Sequence, residues 1–105
     1  MKTIIDKNID VETFFNMLEN NEIQIIDIRE KYEYELGNIP NSHHIPMDTI
    51  LQSINKLEKK KKIIIYCRSG RRSSAVKYML NREHNIENIY CLSGGYEAYL
   101  QSDKK

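Results

Sequence analysis

An α/β fold with a parallel sheet, helices covering both of its faces, is predicted by three observations. Short runs rich in β-branched residues recur at 23–28, 63–66 and 89–92. Each run is apolar almost throughout, as a strand buried on both faces should be. Segments with the helical spacing of apolar residues separate the runs, and such alternation means βα units with parallel strands. No internal repeat and no Pro/Gly/Ser-rich linker interrupts the 105 residues, so the chain reads as one domain over 1–105.

The elements follow in order. Ile4 and Ile5 suggest an edge strand. Asp10 is a good N-cap for a helix carrying Val11, Phe14, Phe15 and Leu18 on one face, which Asn20 and Asn21 end. Residues 23–28 form a central strand, and 30–36 allow one or two helical turns. Gly37 to Pro40 turns the chain, and residues 43–45 suit a short strand. Ile50, Leu51, Ile54 and Leu57 mark a second amphipathic helix. After the strand at 63–66 comes a helix over 73–82, introduced by Ser73 and Ser74, with Ala75, Val76, Met79 and Leu80 inward. The strand at 89–92 leads to a break at Gly94-Gly95 and a last short helix from residue 96.

Composition narrows the function classes. Apolar residues make up 40% of the chain and charged residues 30%, so it is globular and not disordered. Net charge is +1 but unevenly spread: residues 1–55 carry −6, residues 56–82 carry +9, and residues 83–105 carry −2. Much of the basic block is Lys59 to Lys62 in a connector, a solvated run without interleaved aromatic residues. It does not predict nucleic-acid binding. Neither a signal sequence nor a membrane-spanning stretch is visible. Two cysteines are too few for a disulfide framework, and a reducing, cytoplasmic setting is expected.

The chemistry concentrates at residues 67–73, Cys-Arg-Ser-Gly-Arg-Arg-Ser. Cys67 ends the clearest strand, at the edge of a parallel sheet where ligands bind. Asp27, Arg29 and Glu30 end a second strand at the same edge. Thiolate is the nucleophilic form of cysteine, and arginines and helix N-termini favour it. Gly70 frees the loop backbone to turn its N–H groups inward around an anion. A structural, buried cysteine would not need this polar, cationic loop. Cysteine-dependent phosphatases place an arginine six residues after the cysteine. Here Ser73 holds that position, and Arg72 comes one residue earlier. A shorter cradle suits a sulfur atom on the cysteine better than a phosphoryl group. Sulfur transfer is therefore the first reading, and a small phosphatase or arsenate-reductase-like enzyme the disfavoured alternative.

Four segments in order resemble the single-domain rhodanese (thiosulfate sulfurtransferase) family. They are the cysteine loop, Asp27-Ile28-Arg29-Glu30, residues 36–42 (similar to Gly-His-Ile-Pro-Gly-Ala) and residues 92–99 (similar to Leu-x-Gly-Gly-x-x-Ala-Trp). Asn38 stands where the family commonly has His, Asn41 where it has Gly, and Tyr99 where it has Trp. The resemblance implies a rhodanese-like three-layer α/β/α fold with a five-stranded parallel sheet. It also implies a two-step reaction through a persulfide on Cys67, with a cyanide or thiol acceptor, a protein thiol among them. The alternative is a persulfide carrier that serves a protein partner.

Within that reading, residues Arg68, Ser69, Gly70, Arg71 and Arg72 bind the small anionic sulfur donor, the backbone N–H groups stabilising the persulfide. Arg68 and Arg71 are candidates for steering the donor. Arg72 could instead turn back to pair with Asp27 or Glu30. Asp27, Arg29 and Glu30 are read as structural support. His43 and His44 are adjacent on a strand, so they face opposite sides and cannot share a site. No metal or other cofactor is implied. Cys91 reads as a core residue. No nucleic-acid or membrane partner is expected, and one small domain is expected to be a monomer.

Overall fold

The computed structural model describes residues 7–19 and 22–103. Ile63, Ile64 and Ile65 lie at the heart of β4 (Lys62–Tyr66), and all three are buried. β4 pairs in parallel with β2 (Ile23–Asp27), Ile25 opposite Ile64 and Asp27 opposite Tyr66. On its other side it pairs in parallel with β5 (Ile89–Leu92). The short strands β3 (His43–His44) and β1 (Asn8–Ile9) complete a five-stranded parallel sheet of order β1-β5-β4-β2-β3. This is the five-stranded parallel architecture that the resemblance implied. The expected edge strand at Ile4 and Ile5 lies outside the described residues, and Asn8–Ile9 is the edge strand beside β5.

Side-chain alternation divides the sheet into two apolar faces. One face buries Ile26, Ile63, Ile65, Cys67 and Cys91 against Val76 and Leu80 of α4 (Arg71–His84). The other buries Ile25, Ile64, Tyr66 and Leu92 against Phe14 of α1 (Val11–Leu18) and Tyr99 of α5 (Gly95–Gln101). Each such isoleucine contributes about 1.5–3 kcal/mol by leaving water. Asp10 caps α1 by accepting from the Thr13 N–H at 2.8 Å. Tyr99 stacks on Phe15 at 5.9 Å between ring centroids, filling the place where the family commonly has tryptophan.

Two helices depart from expectation. The segment 50–57 is not one helix. α3 (Met47–Ile50) ends at the segment's first residue, and a separate 3-10 turn (Ile54–Lys56) lies within the segment. Ile50 and Leu57 are buried and Leu51 and Ile54 partly so, which meets the apolar pattern without continuous helix. Helix α4 starts at Arg71, two residues before Ser73. Gly70 stands at its N-cap with φ +105°. Its buried stripe is Ser73, Val76 and Leu80, and Ala75 is exposed.

Lys59 and Lys60 are exposed in the turn before β4, and Lys61 pairs with Glu58 at 2.9 Å. They lie at the opposite end of β4 from Cys67. No helix among the described residues is long and apolar enough to cross a membrane.

α2 (Lys31–Leu36) follows β2, and α5 follows β5, so both stand at the sheet edge where Cys67 emerges. At Gly95, with φ +61°, an added Cβ would lie 2.4 Å from the Cys67 carbonyl oxygen and 2.7 Å from the Arg68 carbonyl carbon and oxygen. These neighbours are backbone and cannot rotate away. Gly95→Ala is expected to lower stability by about 2–3 kcal/mol, from overpacking plus a left-handed backbone. Urea unfolding of the two proteins measures this, and an unchanged midpoint would contradict the close approach.

Candidate active site

Ile28 follows β2 just as Cys67 follows β4, and the Ile28 N–H donates to the Tyr66 carbonyl at 3.1 Å. The two strand ends therefore open side by side in the middle of the sheet, at the point where strand order reverses. Open α/β sheets bind ligands at such points.

The Cys67 sulfur is turned inward and fully buried. The Gly70 N–H donates to Sγ at 3.1 Å and the Ser73 N–H at 3.4 Å. The Cys67 thiol faces Ser73 Oγ at 3.7 Å, while that hydroxyl donates to the Gly70 carbonyl at 3.1 Å. Ser74 Oγ donates to the same carbonyl. Ser73, expected at the helix start, is thus its third residue and holds the first turn closed. Both backbone donors belong to the positive end of a 14-residue helix. From the other side, the Tyr96 and Glu97 N–H groups of α5 donate to the Cys67 and Arg68 carbonyls at 2.8 and 3.0 Å. Cys91 lies beneath the loop and its thiol donates to the Ser73 carbonyl at 3.3 Å.

The three arginines are in different situations. Arg68 pairs with Glu97 at 3.0 Å on the surface. Arg72 forms a two-pronged pair with Glu33 of α2, at 3.0 and 3.1 Å. It does not reach Asp27 or Glu30. The Arg71 guanidinium is exposed and makes no hydrogen bond or ion pair among the described residues. Ser69 is also exposed.

Asp27 and Arg29 are both buried and pair with each other. The Asp27 carboxylate accepts from the Arg29 backbone N–H at 2.9 Å, from Nε at 3.0 and 3.1 Å, and from Nη2 at 2.7 Å. Arg29 Nη2 also donates to the Gly37 carbonyl at 2.6 Å. Its guanidinium lies over the Tyr96 ring at 4.3 Å and near the Tyr66 ring at 5.6 Å. Burial opposes the Arg29 charge, but Asp27 outweighs it and holds the pKa above the ordinary value. Burial, and then the Asp27 carboxylate, push the Tyr66 hydroxyl well up. Tyr66 stays neutral and accepts from the Ile39 N–H at 3.0 Å. Glu30 is exposed at the N-cap of α2 and donates its N–H to Glu33 Oε1 at 2.9 Å.

Glu33 was not among the residues expected from sequence, yet it ties the loop to α2. The only signal for it was its place three residues after Glu30, the spacing of a capping box. His44 stacks on Tyr34 at 4.7 Å and its Nε2 lies 2.7 Å from the Arg29 carbonyl, while His43 is exposed. Neither reaches Cys67. Among the described residues no cluster of His, Cys, Asp and Glu could hold a metal ion. Asn41 takes φ +68°, the left-handed conformation that asparagine tolerates best after glycine.

The Rhodanese-like domain family matches residues 10–102. A thiosulfate sulfurtransferase GlpE of Vibrio cholerae is 27% identical over 97 residues, covering 91% of this chain and 90% of the relative. A tRNA uridine(34) hydroxylase of Hamiltonella defensa is 32% identical over 96 residues, covering 85% of this chain and 26% of the relative. The chain thus spans about a quarter of the length of such hydroxylases. Among solved structures, a rhodanese-like domain protein from Staphylococcus aureus superimposes with a TM-score of 0.77 at 35% identity, over 89% of this chain and 90% of that one. A rhodanese-related protein from Thermoplasma volcanium gives 0.81 at 26% identity, over 90% and 91%.

The Arg72–Glu33 tie has a pH signature. Hydrogen bonding to Arg72 holds the Glu33 carboxyl below its ordinary 4.5. Its contribution to stability is present above that value and is lost as pH falls through the depressed one. Glu33→Gln is expected to cost less than about 1 kcal/mol at pH 7 and to flatten the loss of stability below pH 4.5. Chemical unfolding from pH 3 to 7 (roughly the range where carboxylates titrate) measures both proteins, and parallel profiles would contradict the tie. The chain belongs to the Rhodanese-like domain family.

Proposed function

We propose that this protein is a sulfurtransferase that moves a sulfane sulfur from thiosulfate, or a related persulfide donor, to a thiophilic acceptor through a persulfide on Cys67. The observation that carries this reading is the inward sulfur, held by the Gly70 and Ser73 N–H groups at the start of α4. Those donors suit a sulfur that carries charge before and after each transfer.

In the first step the Cys67 thiolate attacks the outer sulfur of thiosulfate. A new S–S bond forms on Cys67. The S–S bond of the donor breaks, and its electron pair leaves with sulfite. In the second step an acceptor thiolate or cyanide attacks the outer sulfur of the persulfide. The S–S bond breaks toward Cys67 and restores the thiolate. No general base is needed when both nucleophiles react as anions, and alternation of donor and acceptor predicts ping-pong kinetics. The likeness to the GlpE thiosulfate sulfurtransferase over 90% of that relative's length supports the reading. Two buried cysteines that form no disulfide suit a reducing, cytoplasmic setting. We propose that the protein works there as a monomer, without metal or other cofactor.

Arg71 is the loop cation left to meet the dianionic donor, because Arg68 and Arg72 are already paired. The ion pair of Arg72 also counts against phosphoryl transfer, which would need that guanidinium free.

Two experiments test this. Intact mass after incubation with thiosulfate is expected to show the gain of one sulfur atom, reversed by cyanide and absent in Cys67→Ser. No adduct, together with hydrolysis of an aryl phosphate, would overturn the reading, and an adduct that survives in Cys67→Ser would move it to Cys91. In steady-state kinetics, Arg71→Ala is expected to raise KM for thiosulfate about tenfold, the equivalent of roughly 1.4 kcal/mol. Its kcat should change little, as for an interaction kept from ground state to transition state. A larger KM effect in Arg72→Ala than in Arg71→Ala would reverse the assignment.

A further inference from the structure

Beside the cysteine loop lies an open groove of about 340 Å³ between α2 and α5. The buried Arg29, the half-buried Gly37 and Tyr96, and the exposed Arg68 are among the residues that line it. Three of the five large apolar side chains exposed among the described residues line it: Leu36 at 86% exposure, Tyr32 at 65% and Leu100 at 44%. Scattered exposed apolar residues are ordinary, but their convergence on one concave surface marks an interaction site. Cyanide or another small thiophile would need none of them.

The charges around the groove specify the occupant further. Glu33 and Glu97 line it, and each is held by an arginine of the loop. The acids at this rim are therefore already neutralised, and the loop's uncompensated charge is the Arg71 guanidinium. Arg71 does not line the groove, but it follows the lining Arg68 by three residues, a span of at most about 11 Å along the chain. An apolar surface within that reach of a free cation is complementary to an apolar segment that carries a carboxylate. After sulfite leaves in the first half-reaction, Arg71 is again available to such a group.

We propose that this groove receives a protein acceptor whose reactive cysteine is flanked by an apolar side chain and an acidic residue. The inference rests on the sulfurtransferase reading and names its acceptor. The apolar side chain lies among Tyr32, Leu36 and Leu100, and the acidic residue meets Arg71. The acceptor cysteine, as its thiolate, then attacks the outer sulfur of the Cys67 persulfide. The acceptor becomes the persulfide, and the S–S electron pair returns to Cys67.

The test starts from full-length protein loaded with thiosulfate, with loading confirmed by intact mass. Transfer is then timed to cyanide and to three synthetic peptides with one cysteine each: flanked by leucine and aspartate, by leucine and lysine, and by serine and aspartate. The leucine–aspartate peptide is expected to react at least tenfold faster than the other two at low concentration. Leu36→Ser and Leu100→Ser, both at exposed positions, are expected to remove most of the leucine advantage while cyanide transfer is unchanged. Arg71→Glu is expected to reverse the ranking of the aspartate and lysine peptides. Equal rates for all three peptides, or an equal loss toward cyanide in the leucine variants, would overturn the docking proposal and leave sulfur transfer standing. Failure of Cys67 to load would overturn the sulfurtransferase reading, and this proposal with it.

Discussion

Backbone contact between the start of α5 and the cysteine loop is the constraint on which the site depends. The Cys67 and Arg68 carbonyls point at α5 and accept its first free N–H groups, those of Tyr96 and Glu97. A trans peptide sets its C=O and N–H in opposite directions. Fixing these two carbonyls therefore turns the N–H groups of Arg68 and Ser69 away from α5. The N–H groups of Gly70 and Ser73 already point at the sulfur. One contact thus satisfies the helix end, as every helix start requires, and orients the loop before any ligand arrives. It works only because Gly95 has no side chain, since a Cβ there would occupy the space of the Cys67 carbonyl. The same approach brings the Gly70 Cα near the Gly94 backbone, where a Cβ would come within 3.4 Å of the Gly94 nitrogen.

A second layer of support runs through the buried Asp27–Arg29 pair. Two charges taken out of water cost several kcal/mol each unless geometry and further hydrogen bonds compensate. Here the compensation is dense. The carboxylate receives the Arg29 backbone N–H and two guanidinium nitrogens, Nε and Nη2, and Nη2 also donates to the Gly37 carbonyl. That carbonyl lies just past the end of α2, and His44 of β3 contacts the Arg29 carbonyl. The pair therefore locks β2, β3 and both ends of α2 to one another. Since α2 carries Glu33, which grips Arg72, a buried ion pair that makes no hydrogen bond to the sulfur helps to place the loop. Acids at a strand end near a nucleophile suggest acid–base chemistry, yet these are engaged in holding structure.

What was legible in the sequence follows the strength of local signals. The central strands were legible because three isoleucines in a row, Ile63 to Ile65, suit little besides a strand buried on both faces. Cys67 at the end of that strand was legible for the same reason. The helix boundary was not, because serine is a common N-cap and Ser73 and Ser74 masked Gly70, whose φ of +105° sets the helix start. The 50–57 segment misled because buried residues seven apart, Ile50 and Leu57, fit a helix and also a broken turn. Partners far apart in sequence were beyond reach. Arg72 had Asp27, Glu30 and Glu33 as possible carboxylates within seven positions, and only packing of α2 against the loop selects Glu33.

That selection bears directly on which anion the loop can take. A phosphoryl group in a cysteine cradle calls for a guanidinium fork that binds two of its oxygens at once. In this chain the last arginine of the loop spends both terminal nitrogens on Glu33. Releasing it would expose a half-buried carboxylate whose pKa is held down by that very bond. The first arginine is turned to Glu97. What remains for a ligand is the set of backbone N–H groups and one free guanidinium, that of Arg71. On the proposed sulfurtransferase reading, such a cradle would stabilise a single charge on a sulfur atom bound to Cys67 and would attract a small dianion to its edge. Its free guanidinium stands four residues after Cys67, two short of the position from which the phosphatase arginine encloses a phosphate. A sequence dense with arginine thus folds into a site of modest positive potential, because two of its three cations are used to hold the loop in shape.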